Sequence, residues 1–456
     1  MDQLIYGSAT KIAKAILMKE VSSKEIVDAY LKRIADVNPK LNAVVQLSAE
    51  TAHEQSLMAD NELAHGNLLG PLHGVPITLK DSFDSKGIVS TGGTMGRKDF
   101  VPSQDATVMA RLRAAGAILI GKTNTPEFTL SYETNNLIYG KTNNPYDLEC
   151  SPGGSSGGAA AIVASGGSAF DIGSDYGGSL RYPSHCCGIT TIKPTSGRVP
   201  RTGHILPFGG LLDSFQQVGP IARYVEDLNL VLPLISGPDW IDPSIVPIPY
   251  GKPSEVDIKK LRIGFYTDNG IISPSTETID IVKKTATLLE GEGSIIEEIQ
   301  PNGIEESYDI MMGLLYANGE SVRRLLKDTG TKEDTLSWLE FAEPIDTILL
   351  DALIANWYKF RSKMLSFIKN YDVILCPVNA FPALPHGSIK DDLKAFSYTM
   401  TYNLTGWPSS VVRGGTSPDK LPIGFQIVAQ PWREDVSLAV AGYLEKVLGG
   451  FQRPCL

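Results

Sequence analysis

The run "SPGGSSGGAAAIVASGG", residues 151–167, constrains this chain more than any other stretch. It carries no charge, yet it joins a Gly/Ser-rich turn to the apolar run Ala159-Ala160-Ala161-Ile162-Val163. Helix-forming apolar residues without a charged face belong in an interior, which excludes a solvated flexible linker. Three other uses of such a turn remain: a phosphate-binding loop, a hydrolase nucleophile elbow, or one half of a different serine-based site.

The rest of the chain reads as alternating helices and strands. Ser22-Ser23-Lys24-Glu25 has the form of a capping box, and Ile26, Tyr30 and Ile34 follow at helical spacing. Asn38-Pro39 is expected to stop that helix. "GVPITL" (74–79) and "AILIG" (117–121) are short apolar runs bounded by turn residues, so both read as buried strands, with a helix over 106–116 between them. Residues 167–175 begin as a strand and end in polar turn chemistry. Residues 261–266, 371–377 and 421–429 read as strands, 277–293 and 433–449 as helices, and 305–370 as largely helical. From 201 to 254 Pro and Gly are frequent and strong periodic signals are few. This alternation predicts an α/β fold: a single large α/β/α domain with a mixed β-sheet core flanked by helices. No long polar stretch interrupts it, so one domain is expected over residues 1–456 despite the length.

Hydrophobic residues make up 42% and charged residues 20%, which places the chain among ordinary globular proteins. The 41 basic and 51 acidic residues leave a formal charge of −10, which disfavours general nucleic-acid binding. The five cysteines, 150, 186, 187, 376 and 455, form no C-x-x-C pair and suggest no disulfide framework, which points to a reducing compartment. The first twenty residues lack the form of a secretory signal, and no run reaches the about 18 apolar residues of a membrane span. A cytoplasmic protein without a membrane anchor is the expectation.

Two motif matches fail on physical grounds. "GAILIGKT" (116–123) has the letters of a P-loop, but Ala-Ile-Leu-Ile favours a strand and Pro126 falls where the first helical turn should be. "GGSSG" (153–157) has the letters of a nucleophile elbow, but "NNPYDLECSP" before it is loop rather than strand. His185, His204 and His386 lie downstream, none in a recognisable setting. His185-Cys186-Cys187 has no second cluster to complete a metal site, so buried small residues are the expected reading. A second Gly-rich turn, "GSDYGGSLRYPS" (173–184), places Ser179 after two glycines, where backbone amides can converge on one point as an oxyanion hole requires.

At these residues the sequence resembles the amidase signature family. "PGGSSGG", "GSDYGGSLRYPS" and "GITTIKPTSGRVP" (188–200) follow that family's signature in order and spacing. "GPLHGVPITLKDSFD" (70–84) is similar to its lysine motif, and "SYETNNLIYGKTNNP" (131–145) and "GFQIVAQPWRED" (424–435) also match. The resemblance spans nearly the whole chain. It implies a catalytic core over roughly 70–200 and a variable specificity region over roughly 200–370.

Carried over by position, the resemblance implies Ser179 as nucleophile, Ser155 as bridging serine after a cis peptide, and Lys80 as base. The backbone amides of Tyr176, Gly177, Gly178 and Ser179 would form the oxyanion hole. Asp175 and Arg181 would hold that turn, and Thr129 and Ser131 would line the substrate channel. A lysine acts as a base only when neutral, and burial in apolar surroundings favours the neutral form. Asp81 and Asp84 would oppose this if close, and are expected to point elsewhere. Tyr176 and Tyr182 are bulky for their positions and are expected to reshape the pocket. Ser82 stands where Asn is common.

The implied activity is amide hydrolysis through an acyl-enzyme, with no metal or organic cofactor and a small-molecule amide as substrate. Two rivals stand beside it. One is the glutaminase subunit of a tRNA-dependent amidotransferase, whose characteristic later stretch is not found; "LLYANGESVRRLL" (314–326) is a poor substitute. The other is a non-catalytic relative used as a binding module. Oligomeric state is open, with a homodimer among the options.

Overall fold

The computed structural model describes residues 1–389 and 392–456. Among the described residues eleven strands form two sheets. β1 (Val44–Leu47), β3 (Ile118–Thr123) and β2 (Pro76–Lys80) make the smaller one, in that order, with β2 and β3 parallel. The larger comprises β4 (Phe170–Asp175), β5 (Thr190–Lys193), β6 (Gln217–Ala222), β7 (Arg262–Phe265), β8 (Ile295–Glu298), β9 (Val373–Pro377), β10 (Ser409–Thr416) and β11 (Pro422–Ala429). Its spatial order is β4-β6-β5-β10-β11-β9-β7-β8, antiparallel from β4 to β9 and parallel from β9 to β8. This is the mixed sheet flanked by helices that the alternating pattern predicts.

Side chains join the two sheets. The Thr78 N–H donates to Ser168 Oγ at 2.9 Å, and Thr78 Oγ1 donates to Asp171 Oδ2 at 2.6 Å. β2 therefore lies beside β4, and Lys80 at the end of one faces Ser174 near the end of the other. All residues of β2, β3, β4, β5, β6, β9 and β11 are buried, because helices cover the sheet on both sides. The helix Gly157–Ala164 packs on β4 and β6 with all eight of its residues buried, which is why it has no polar face.

Two expectations need correction. The helix that begins at the Ser22–Glu25 capping box runs through Pro39 to Leu41. Pro39 lies in its last turn, so it removes only one backbone donor. The stop is Asn42, in the left-handed region at φ 51°, while Asn38 Oδ1 accepts from the N–H groups of Ala43 and Val44, each at 2.8 Å. The second correction is in 201–254, which holds the interior strand β6, next to the edge strand β4, and the helix Val225–Ile235. Gly219 and Pro220 disguise β6, yet Pro220 is tolerated because β5 pairs only with Ile221 and Ala222. β10 is a further strand that the sequence pattern does not announce.

Candidate active site

The two Gly-rich turns and the end of β2 converge. Lys80 is fully buried, and its Nζ lies 2.7 Å from Ser155 Oγ, 2.9 Å from Ser156 Oγ and 3.0 Å from Ser174 Oγ. Burial, opposed by the Asp175 and Asp171 carboxylates, holds its amine well below the ordinary lysine range. Asp81 and Asp84 are engaged elsewhere: Asp81 accepts from Thr91 and lies 3.6 Å from Lys122, and Asp84 pairs with Arg97 at 2.6 Å. Lys122, the lysine of the P-loop-like letters, is fixed in strand β3 and donates to Phe83 O and Ser90 Oγ.

The Gly154–Ser155 peptide is cis. A Cβ on Gly154 would lie 2.6 Å from the Tyr132 backbone, so only glycine fits there. The two serine turns touch where the Ser156 N–H donates to the Ser179 carbonyl at 3.3 Å. The Ser155 and Ser179 hydroxyls make no direct hydrogen bond with one another, and in unliganded enzymes hydrogen bonds of this kind often tighten only as substrate binds.

Asp175 organises the Ser179 turn. It accepts from the N–H of Gly178 at 2.8 Å and of Leu180 at 3.1 Å, and receives Arg181 Nε and Nη2, each at 3.0 Å. Burial pushes its carboxyl up, but the Arg181 guanidinium more than offsets this and keeps it below the usual carboxylate range. Arg181 also donates to Gln426 Oε1 and Asn403 Oδ1. Gly178 is thereby removed from the four expected oxyanion donors, since Asp175 occupies its amide. Among the described residues the amides of Tyr176, Gly177 and Ser179 have no acceptor. The Gly177 carbonyl is drawn aside by Thr399 Oγ1 at 2.7 Å and Tyr132 OH at 3.0 Å.

Ser179 opens onto a cavity of about 310 Å³, lined among others by Thr129, Ser131, Tyr176, Met311, Trp338 and Met400. Tyr176 therefore shapes the cavity as expected. Tyr182 does not: it lies behind the turn, against Phe396 and His185. Glu127 ties two walls of the cavity together by accepting from the Thr335 N–H at 2.8 Å. His185 spends both ring nitrogens on backbone, accepting from the Gly424 N–H and donating to the Phe381 carbonyl, so it is a structural residue. Among the described residues no group of three His, Cys, Asp or Glu is placed to hold a metal ion.

Sequence reasoning missed Ser174, His204, Tyr132, Thr399, Asn403 and Gln426. Most come from distant parts of the chain, and no local pattern marks a side chain that meets the turn only after the sheet has formed.

The family model described as "Amidase" matches residues 25–438. The chain belongs to the amidase signature family. As a member of it, the chain is an amide-hydrolysing enzyme. This amidase is 34% identical to an indoleacetamide hydrolase of Bradyrhizobium diazoefficiens, over 97% of this chain and 86% of that one. It is 32% identical to a subunit of the glutamyl-tRNA(Gln) amidotransferase of Alkaliphilus metalliredigens, over 97% and 96%. Its fold superposes on 6-aminohexanoate cyclic dimer hydrolase complexed with substrate, with a TM-score of 0.89 at 27% identity, covering 99% of each chain.

Proposed function

We propose a self-sufficient amidase that acts on uncharged, largely apolar amides. Ser179 Oγ attacks the amide carbonyl. Its proton passes to Ser155 as Ser155 gives its own to Lys80, and the developing oxyanion meets the amides of Tyr176, Gly177 and Ser179. The proton returns through Ser155 to the leaving nitrogen, and water then hydrolyses the ester at Ser179. Lys80 suits the base role because burial favours its neutral form.

The observation that carries the substrate class is the cavity wall. Leu130, Met311, Met312, Leu315, Leu393 and Met400 dominate it. Among the described residues no Lys, Arg or His lines it, and Glu133 is engaged by His386 and the Gly387 N–H. Among the described residues of that wall, the carboxylate of a free amino acid such as glutamine finds no counter-ion. Among the described residues Thr129 Oγ1 and Trp338 Nε1, on side chains of the cavity wall, are buried without hydrogen-bond partners, which fits an apolar group carrying a neutral acceptor. The likeness to an amidotransferase component favours a second reading, glutamine hydrolysis within a complex. The chain acts as one domain, with Thr129 and Ser131 in the substrate channel. Five free cysteines suit a reducing compartment such as the cytoplasm. Among the described residues no helix is long and apolar enough to cross a membrane.

The test is ammonia or amine release by the purified chain from aliphatic, aromatic, long-acyl and amino-acid amides, glutamine included. Turnover of apolar amides that disappears in Ser179→Ala supports the proposal. Turnover of glutamine alone, and only with partner subunits, transfers it to the second reading.

A further inference from the structure

On one side the cavity wall is a single stretch of chain. Thr335, Ser337 and Trp338 line it, and Thr335 and Ser337 are themselves exposed, as are Asp334, Glu340 and Phe341 beside them. Residues 331–341 thus form a strap between cavity and solvent. The strap is irregular but for the short 3-10 helix Ser337–Phe341, so its position depends on what neighbouring segments give it.

Leu336 and Leu339 are buried and draw the strap inward, but apolar contact is non-directional and does not fix its height. Hydrogen bonds do. At one end Arg323 Nη2 donates to the carbonyls of Leu339 and Ala342, at 2.7 and 2.8 Å. Arg323 belongs to the helix Gly319–Thr329 that leads into the strap, so this anchor ties the variable half to itself. The other end is tied to the half that carries Ser179. Thr331 Oγ1 lies 2.6 Å from Thr94 Oγ1 and accepts from the Gly96 N–H at 3.2 Å. A Cβ on Gly96 would collide with the Thr329 carbonyl, so the two backbones meet as closely as glycine allows. Glu127 completes this anchor: its Oε2 accepts from the Thr335 N–H at 2.8 Å and from Thr335 Oγ1 at 3.2 Å.

Glu127 can fix a position because it is itself held still. It is buried, and the two residues after it, Phe128 and Thr129, have left-handed backbone at φ 48° and 63°. That region is disfavoured for any residue with a Cβ, most of all for a β-branched threonine, and persists only where the surroundings impose it. Here the Phe128 ring is fully buried and its N–H donates to the Gly92 carbonyl at 2.9 Å. The turn sends Thr129 to the cavity wall and leaves Glu127 facing the strap. Glu133, farther along the same segment, holds a different part of the wall by accepting from the Gly387 N–H at 2.9 Å. Loss of Glu127 therefore frees one wall and leaves the other in place.

We propose that Glu127 is a positioning residue for substrate choice: by holding Thr335 it fixes the strap and Trp338 at one height over the cavity, and so sets the largest acyl group that Ser179 can receive. This rests on the reading of the cavity as the acyl site. The reacting groups do not depend on the strap, so Glu127 acts on which amide is bound and not on how it is cleaved.

The test measures kcat and KM over straight-chain acyl amides of increasing length, for wild type, Glu127→Met, Glu127→Gln and Thr331→Val. Hydrogen–deuterium exchange of the peptide over 331–341 is followed beside it. Wild type should favour chains that fill the cavity and turn over longer ones poorly. In E127M the ratio of kcat/KM between those two groups falls by about tenfold, in proportion to one hydrogen bond to a charged group. The change lies in KM, kcat for the shortest amide turned over shifts by less than about threefold, and the strap exchanges about tenfold faster. E127Q keeps a carbonyl for the Thr335 N–H and stays within about threefold of wild type. T331V loosens the same anchor without touching the buried carboxylate, and moves the ratio in the same direction by about threefold. An equal fall for every acyl length, an unchanged ratio in folded E127M, or a strap that exchanges no faster overturns the proposal. Wild type that turns over short and long acyl amides equally well defeats the reading of the cavity as the acyl site, and does so before any variant is made.

Discussion

Every residue from Ser151 to Thr195 is buried, whereas the 22-residue helix Thr347–Ile368 buries only Trp357, Phe360, Met364 and Ile368. The first region holds Ser155 and Ser179 of the proposed reaction, and the second belongs to the helical half whose Met311, Met312 and Trp338 line the cavity. A buried stretch must satisfy every polar group internally, so each residue type is tightly specified. A half-exposed helix needs only an apolar stripe, and many sequences supply one. Chemistry is thus fixed where packing leaves no choice, and substrate preference is set where it leaves many.

The comparison breaks most sharply at the reacting groups. Ser179→Ala and Lys80→Met should each lower kcat by about 10⁴- to 10⁶-fold, judged from other serine hydrolases, with the fold intact. Steady-state turnover and a thermal melt measure both. A variant that keeps a tenth of its activity would remove that residue from the mechanism.

Next is the buried ion pair beneath the turn. Arg181→Met leaves Asp175 charged and buried without its partner, which typically costs about 3–5 kcal/mol. A denaturant melt should show that loss, with activity falling because the Gly178 and Leu180 amides lose their anchor. A loss below about 1 kcal/mol, the range of an exposed pair, would mean that Asp175 finds another counter-ion.

The Lys80 amine gives a smaller effect with a definite sign. Its native value lies below that of the unfolded chain, so between the two the unfolded state binds the extra proton and stability rises with pH. The stability of wild type relative to Lys80→Met should therefore increase by about 1.4 kcal/mol per pH unit across that window. It should be flat below the native value and above about 10.4. Urea melts from neutral to alkaline pH check this. A flat difference throughout would mean that Lys80 is an ammonium in the folded protein.

The same contrast governs what the sequence disclosed. Lys80, Ser155, Ser179, Asp175 and Arg181 were singled out through the family resemblance that local motifs carry, and the structure brings Lys80 to Ser155 and Arg181 to Asp175; the α/β alternation was legible because buried strands are short apolar runs. β6 was not, because Gly219 and Pro220 break its pattern, and their tolerance depends on where β5 stops pairing. Pro39 misled because its position within the last helical turn decides its effect. The loss of Gly178 as an oxyanion donor and the place of His204 were also hidden. Each depends on a hydrogen bond that local spacing does not encode, such as Asp175 to Gly178 or His204 to Ser174.

The cavity should show the smallest effects and the most selective ones. Among the described residues Trp338 Nε1 is buried there without a partner, whereas Tyr176 OH has the Asn318 side chain beside it, so the first is free to donate to a bound acyl group and the second must give up that neighbour to do so. Trp338→Phe and Tyr176→Phe remove those donors and keep a ring in place. For a purely hydrocarbon acyl amide, kcat/KM should change by less than about threefold, because no hydrogen bond is lost. For an amide whose acyl group carries an ether or carbonyl acceptor in reach, the loss should be about tenfold, in proportion to one neutral hydrogen bond. The ratio between the two substrates is the informative quantity, since a packing defect lowers both alike. Equal losses would mean that these polar atoms serve water or the fold itself. The substrate would then be set by the apolar wall of Met311, Met312 and Met400 alone.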